Sequence, residues 1–218
     1  MYERKIFDLL NSVGVTISDF NFDTYNSQVR KAINDSKFIL PDKKDPFLAM
    51  HPSVPKLYGL IKTHWPGLPI RSVVTSYCHP AFALSKFLAT FFVALSSFVS
   101  SHSIKNSTKL VVVLSVLEFS PSTSLNYFGV TNMYSNIPVR FTIKLMCDLV
   151  TSNGVPYPTV LEFRKLINIC VRYNFCGFLN RIYMFKDGLP MGGFLSTFMA
   201  DVFMDHLEVE VPRSAPDA

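Results

Sequence analysis

Three separated stretches of this chain carry residue types suited to handling phosphate. The first runs Gly129-Val130-Thr131-Asn132-Met133-Tyr134-Ser135-Asn136-Ile137-Pro138. A strand ending in such a turn exposes backbone N–H groups, which bind anions. On its residues alone the stretch reads equally as a strand and turn with a buried tyrosine. The second, Gly188-Leu189-Pro190-Met191-Gly192-Gly193-Phe194-Leu195-Ser196, places glycines at the opening of a helix. Glycine lets a backbone approach a base pair or phosphate closely, and a helix start offers N–H donors. The third lies between Pro55 and Val74, where Lys62 and Arg71 sit on neighbouring short extended segments. Two cations so placed clamp a triphosphate; taken singly they also describe a solvated surface.

The elements that must position these residues follow from periodicity. Asn126 to Val130 reads as a short strand leading into the first stretch. Val139 to Val150 has a helical pattern closed by Asn153-Gly154, and a second helix spans Thr159 to Val171 with Leu161, Leu166, Ile169 and Cys170 on one side. Tyr173 to Phe185 alternates aromatic and polar groups around Asn174, Gly177 and Asn180, which predicts a hairpin. Phe194 to Leu207 is the clearest helix, with Leu195, Phe198, Met199, Val202, Phe203 and Leu207 sharing a face. Upstream, Ala83, Phe87, Leu88, Phe91 and Phe92 recur at helical spacing, after an extended region that begins at Pro55. Lys109 to Leu114 is a continuous apolar run, either a strand or a buried helix. The first fifty residues mix short helical patterns with polar breaks at Asn21-Phe22-Asp23 and Asn34-Asp35-Ser36, and Pro41 to Pro46 is a turn or exposed loop. Three regions result: 1–54, helices and loops; 55–208, which holds all three phosphate-suited stretches; and 209–218, a frayed tail.

A chain of 218 residues with 49% hydrophobic residues, 20 of them Phe, can bury a sizeable core, which excludes general disorder. The formal charge of +5 fits a phosphate-rich partner without requiring one. Cys78, Cys147, Cys170 and Cys176 lack C-x-x-C spacing and read as reduced, structural thiols of an intracellular protein, nuclear or cytoplasmic. His51, His64, His79 and His102 are scattered, so no zinc site is expected. Asp8 interrupts the only N-terminal apolar run, so no secretory signal is visible. Phe87 to Ile104 gives 18 uncharged residues, but its last third is mostly serine; a buried helix is the better reading and no membrane partner is expected.

Taken together, in this order and spacing, the three stretches resemble the reverse transcriptase of Penelope-like retroelements. That family carries a Tyr-Gly-Leu-Pro-Lys-x-His segment, an Arg-Pro-Ile segment, a Phe-Asp-Val-x-x-Met/Leu-Tyr-x-Asn-Ile/Val-Pro motif and a Gly-x-x-Met-Gly-Ser/Gly-Pro-Leu-Ser motif. Here they match Tyr58 through His64, Arg71 through Val73, Phe128 through Pro138, and Gly188 through Ser196. Asn106-Ser107 and Ala200 to Met204, followed by Leu207-Glu208, resemble shorter family signatures. The resemblance covers about Pro55 to Glu208. It implies an α+β fold: the fingers and part of the palm of a right-hand polymerase, with the palm incomplete and the thumb absent. It implies descent from an RNA-directed DNA polymerase, the nucleotidyltransferase of a retrotransposon, whose partners are an RNA template, a DNA primer and deoxynucleotides. By the same resemblance Lys62, Arg71, Val130 and Tyr134 bind the nucleotide, Tyr134 lying under its sugar. Gly188, Met191, Gly192, Gly193 and Ser196 border the template and primer.

The departures carry as much meaning. Ile61, Ser72 and Phe194 replace family prolines. Gly129 stands where the family has the aspartate that, with the adjacent carbonyl, holds two Mg²⁺ ions. Two-metal phosphoryl transfer needs bridging carboxylates. The sequence contains no Asp-Asp pair, so the third palm motif is missing. Asp201 and Asp205 lie on the polar side of the last helix, where solvation explains them. No catalytic residue is intact, and the Mg²⁺ of active relatives is not expected to bind productively. The chain reads as a truncated, inactive copy whose last helix, lacking strands above it, leaves apolar surface for self-association. The alternatives are a non-catalytic nucleic-acid-binding remnant, or a protein anchored in a membrane by the Phe87 segment.

Overall fold

The computed structural model describes residues 2–16, 19–48, 50–63, 66–120, 122–123, 129–172 and 174–214. Helix α1 (Tyr2–Val13) buries Ile6 and Leu10, one turn apart, and leads into strand β1 (Gly14–Thr16). Helix α2 (Phe22–Asp35) starts at Asn21, whose side chain accepts the Thr24 N–H. The polar break before it is therefore a helix cap. Short 3₁₀ turns at Pro41–Lys43 and Asp45–Phe47 occupy the proline- and charge-rich stretch. Strands β2 (Leu57–Ile61) and β3 (Ile70–Val74) precede helices α3 (Phe82–Ser96) and α4 (Ser107–Ser115). After a 3₁₀ turn at Tyr134–Asn136 come α5 (Val139–Ser152) and α6 (Tyr157–Val171). Strands β4 (Phe175–Phe178) and β5 (Arg181–Phe185) and helix α7 (Phe194–Ser214) complete the order.

Helices and small antiparallel sheets thus combine in the α+β class. One sheet has the order β1-β5-β4, the other is the β2–β3 pair, and Lys56 bridges to Gly177 between them. The expected hairpin is β4–β5. Its two turn residues, Leu179 and Asn180, have φ of 45° and 58°, the left-handed pair whose twist matches that of the flanking strands.

Two apolar clusters hold these elements. In the larger, α3 is central: Phe92 stacks on Phe163 at 5.9 Å and meets Phe198 of α7 edge-on at 5.2 Å. In the smaller, Ile6 and Leu10 of α1 cover Leu57, Val74, Cys176 and Phe185 of both sheets. Cys147, Cys170 and Cys176 are buried and free, and Cys78 is free and exposed. Among the described residues no helix is long and apolar enough to cross a membrane; α3 ends at Ser96, and Ser97 adopts a left-handed φ of 51°.

Some expectations change. Lys109 to Leu114 is helical, but α4 buries no residue, and Val111 is 64% exposed. Consecutive apolar residues wrap every side of a helix, so such a run alone does not set a buried face. Leu161 is 45% exposed, because the inward stripe of α6 runs through Val160, Phe163, Ile167 and Cys170, one position off it. The backbone of α7 continues to Ser214, through the stretch read as frayed and past Pro212, which has no N–H to donate to the helix. Nor does α7 lack cover, since Leu195, Met199, Ala200 and Val202 are buried against α3 and α5. The strand read at Asn126 to Val130 falls mostly outside the described residues; Gly129 and Val130 are exposed coil.

Candidate functional site

The antiparallel register of β2 and β3 fixes the two candidate cations. Leu60 pairs with Arg71, and the ladder extends one step further as the Lys62 N–H donates to the Pro69 carbonyl at 2.9 Å. Lys62 and Arg71 are therefore diagonal neighbours on one face, a separation of about 7–8 Å. Helix α1 braces this hairpin. The Gly59 N–H donates to the Tyr2 hydroxyl at 2.7 Å, and Lys5 Nζ donates to the carbonyls of Gly67 and Leu68 in the β2–β3 loop.

Opposite stands the turn that follows Gly129. Asn132 has a left-handed φ of 50°, and its carbonyl accepts from Ser135 Oγ at 3.0 Å and from Asn136 Nδ2 at 3.2 Å. Ile137, 1% exposed, anchors the turn in the core. Gly129 and Val130 stay exposed while Tyr134 is half-buried, so the tyrosine is neither a core residue nor a free one.

The glycine-rich stretch joins these two walls. The Leu189 N–H donates to the Tyr134 carbonyl at 2.8 Å, and the Met191 carbonyl accepts from the Val74 N–H at 2.8 Å. Gly188 has φ of +73°, and a Cβ there would lie 2.3 Å from the Ser135 carbonyl oxygen. Gly192, at φ +105°, would put a Cβ 2.4 Å from the Val74 carbonyl oxygen, and its own carbonyl accepts from Ser76 Oγ at 2.8 Å. Both glycines are required by close backbone approach.

The result is a cleft of about 440 Å³ lined by Lys62, Arg71, Gly129, Val130, Tyr134 and Met191, with Leu9 and Phe185 among its apolar walls. Gly188 is buried behind it. Gly193 and Ser196 line a different, much smaller cavity of about 60 Å³ beside His79. Sequence reasoning passed over His79 except as a metal candidate. It packs on Phe175 and Tyr25 at centroid distances of 5.3 and 5.5 Å, its Nδ1 accepts the Ala81 N–H, and burial lowers its pKa to about 4. The contribution of α1 through Leu9 was also missed, because nothing local in Tyr2 to Val13 marks a distant cleft. His64 lies outside the described residues.

Among the described residues no carboxylate lines the cleft. Among the described residues no group of three or more His, Cys, Asp or Glu side chains gathers as metal ligands. Asp201 is exposed, and Asp205 instead accepts the Ser101 N–H. This donor set does not fit the paired Mg²⁺ ions of a polymerase, which need bridging carboxylates. What it does offer is two cations, exposed backbone around Gly129 and an aromatic ring, a set for holding an anion with a planar or sugar-like appendage. No protein-family model matches the chain, and no curated protein matches it.

Proposed function

We propose that this chain has a reverse-transcriptase-like fingers and palm arrangement and holds a nucleotide-binding cleft without catalysis. The observation that supports this reading is convergence: Lys62, Arg71, Gly129, Val130, Tyr134 and Met191, from three stretches far apart in sequence, line one cleft. In this reading Lys62 and Arg71 hold the phosphates of a deoxynucleotide and the backbone after Gly129 approaches them. Tyr134 lies under the sugar, and Met191 and Gly192 border the templating base. Template RNA and primer DNA are the macromolecular partners. Gly129 has no carboxylate to bridge metal ions, so strand extension stops at binding.

The test is a deoxynucleotide titration of the protein and of Arg71→Ala, followed by NMR without Mg²⁺. Affinity near millimolar, about −4 kcal/mol, is expected. Binding should weaken in the variant, because the planar guanidinium makes bidentate contacts that lysine alone does not replace. Equal affinity for both proteins, or no binding to the parent, refutes the nucleotide assignment. Primer extension above background by the parent, with Mg²⁺ or Mn²⁺, refutes the loss of catalysis.

A further inference from the structure

We infer that a second cleft, on the other side of the Gly188 strap, grips the phosphodiester backbone of a nucleic-acid strand. This cleft also measures about 440 Å³, and Phe185 is a wall of both. Its cations come from three elements: Arg140 in the first turn of α5, Arg172 at the end of α6, and Lys186 just after β5. All three are exposed. Asp187, the one carboxylate among the described residues of the cleft, accepts the Gly188 N–H at 2.8 Å through Oδ1. Among the described residues lining the cleft, cations outnumber carboxylates three to one.

The layout distinguishes a strand from a single small anion. A site for one free phosphate converges buried donors on one point. Here exposed cations flank an open cleft from separate elements, which suits charges repeated along a polymer. Arginine, two of the three, pairs bidentately with phosphate oxygens. The α5 N-terminus adds to this: no side chain caps it, and its first residues, Val139 and Arg140, line the cleft. The choice of nucleic acid over another polyanion rests on the proposed reverse-transcriptase reading; the site itself rests on the charge and its arrangement.

The experiment measures binding of a fluorescein-labelled oligouridylate by anisotropy over a range of salt concentrations. It compares the parent, the double variant Arg140→Gln/Lys186→Gln, and a charge-matched control, Lys31→Gln/Lys109→Gln, on exposed positions of α2 and α4. Loss of two phosphate contacts lowers the slope of log K against log salt by about 1.4, at about 0.7 per contact for single strands. Affinity at low salt should fall roughly tenfold, while the control changes little. Arg140→Lys/Lys186→Arg should keep the parent slope, which separates lost charge from damaged folding. A parent that binds no oligouridylate, or a control that loses as much as the double variant, overturns the assignment. So does inorganic phosphate that shifts the amide signals of Arg140 and Lys186 while the double variant binds oligouridylate as the parent does; that is a free-anion site. Failure of the nucleotide reading shows separately, as oligouridylate binding through Arg140 and Lys186 with no deoxynucleotide bound at Arg71.

Discussion

Replacing Gly188 by Ala tests whether the strap between the two cleft walls is held as described. Two costs add. The first is backbone: at φ +73° an alanine is in the left-handed region, a cost of about 1–2 kcal/mol. The second is contact. The new Cβ would lie 2.3, 2.4 and 2.6 Å from the carbonyl oxygen, carbonyl carbon and Cα of Ser135, all backbone atoms that cannot rotate away. Relief requires the strap to move off the turn, which breaks the 2.8 Å bond from Leu189 N–H to the Tyr134 carbonyl. An unpaired buried amide costs about 1–3 kcal/mol. Together the substitution should destabilise by about 3–4 kcal/mol, or roughly 10 °C in Tm for a chain of this size. Gly154 provides the internal control. Its φ is +76°, but a Cβ there meets nothing within 4 Å, so Gly154→Ala carries the backbone cost alone. Urea unfolding of both variants, followed by far-UV circular dichroism, isolates the contact cost as their difference. A difference within about 0.5 kcal/mol, smaller than the cost of one unpaired amide, would refute the close approach of Gly188 to Ser135.

Two further outcomes follow from buried groups. His79 titrates near 4 in the folded chain against the usual 6.5, so the unfolded chain binds its proton more tightly; its contribution is fully present above pH 6.5 and is lost as pH falls towards 4. Unfolding free energy measured across that window should drop more steeply for the parent than for His79→Phe, and parallel curves would argue against a buried neutral histidine. Native thiol titration with a disulfide reagent should find one fast cysteine of four, Cys78, because burial pushes Cys170 and Cys176 up to about 12 and raises Cys147 as well; two or more fast thiols would contradict the packing of α5, α6 and β4.

Where the physics is local, the sequence holds the signal. Asn21 and Asn106, read as a polar break and as part of a family signature, each cap a helix by accepting an N–H three residues on, a pattern contained within four residues. The turn at Leu179 and Asn180 and the stop at Asn153-Gly154 are of the same kind. Lys62, Arg71 and Tyr134 were singled out through the resemblance, and they line one cleft. The exposure of α4 was not legible, because the burial of Val111 to Val113 depends on whether another element stands beside them. The close approach of Gly188 to Ser135 and of Gly192 to Val74 was not legible for the same reason, since both contacts are set by tertiary approach. The basic cleft of Arg140, Arg172 and Lys186 was invisible, since three ends of three elements meet there.

The strap has a mechanical consequence. Its two anchoring hydrogen bonds, at Leu189 and Met191, lie within a segment of only three residues, which spans at most about 10 Å when extended. The β3 wall and the turn wall are thus tied by a short inextensible tether and cannot swing apart as jaws do. Ligands must enter a gap of set width, and discrimination among them falls to shape and charge at the rim rather than to closure. Because peptide units set that width, side chains along either wall can be exchanged without resizing the opening. A side chain can be lost from either wall in this way and leave the gap itself intact.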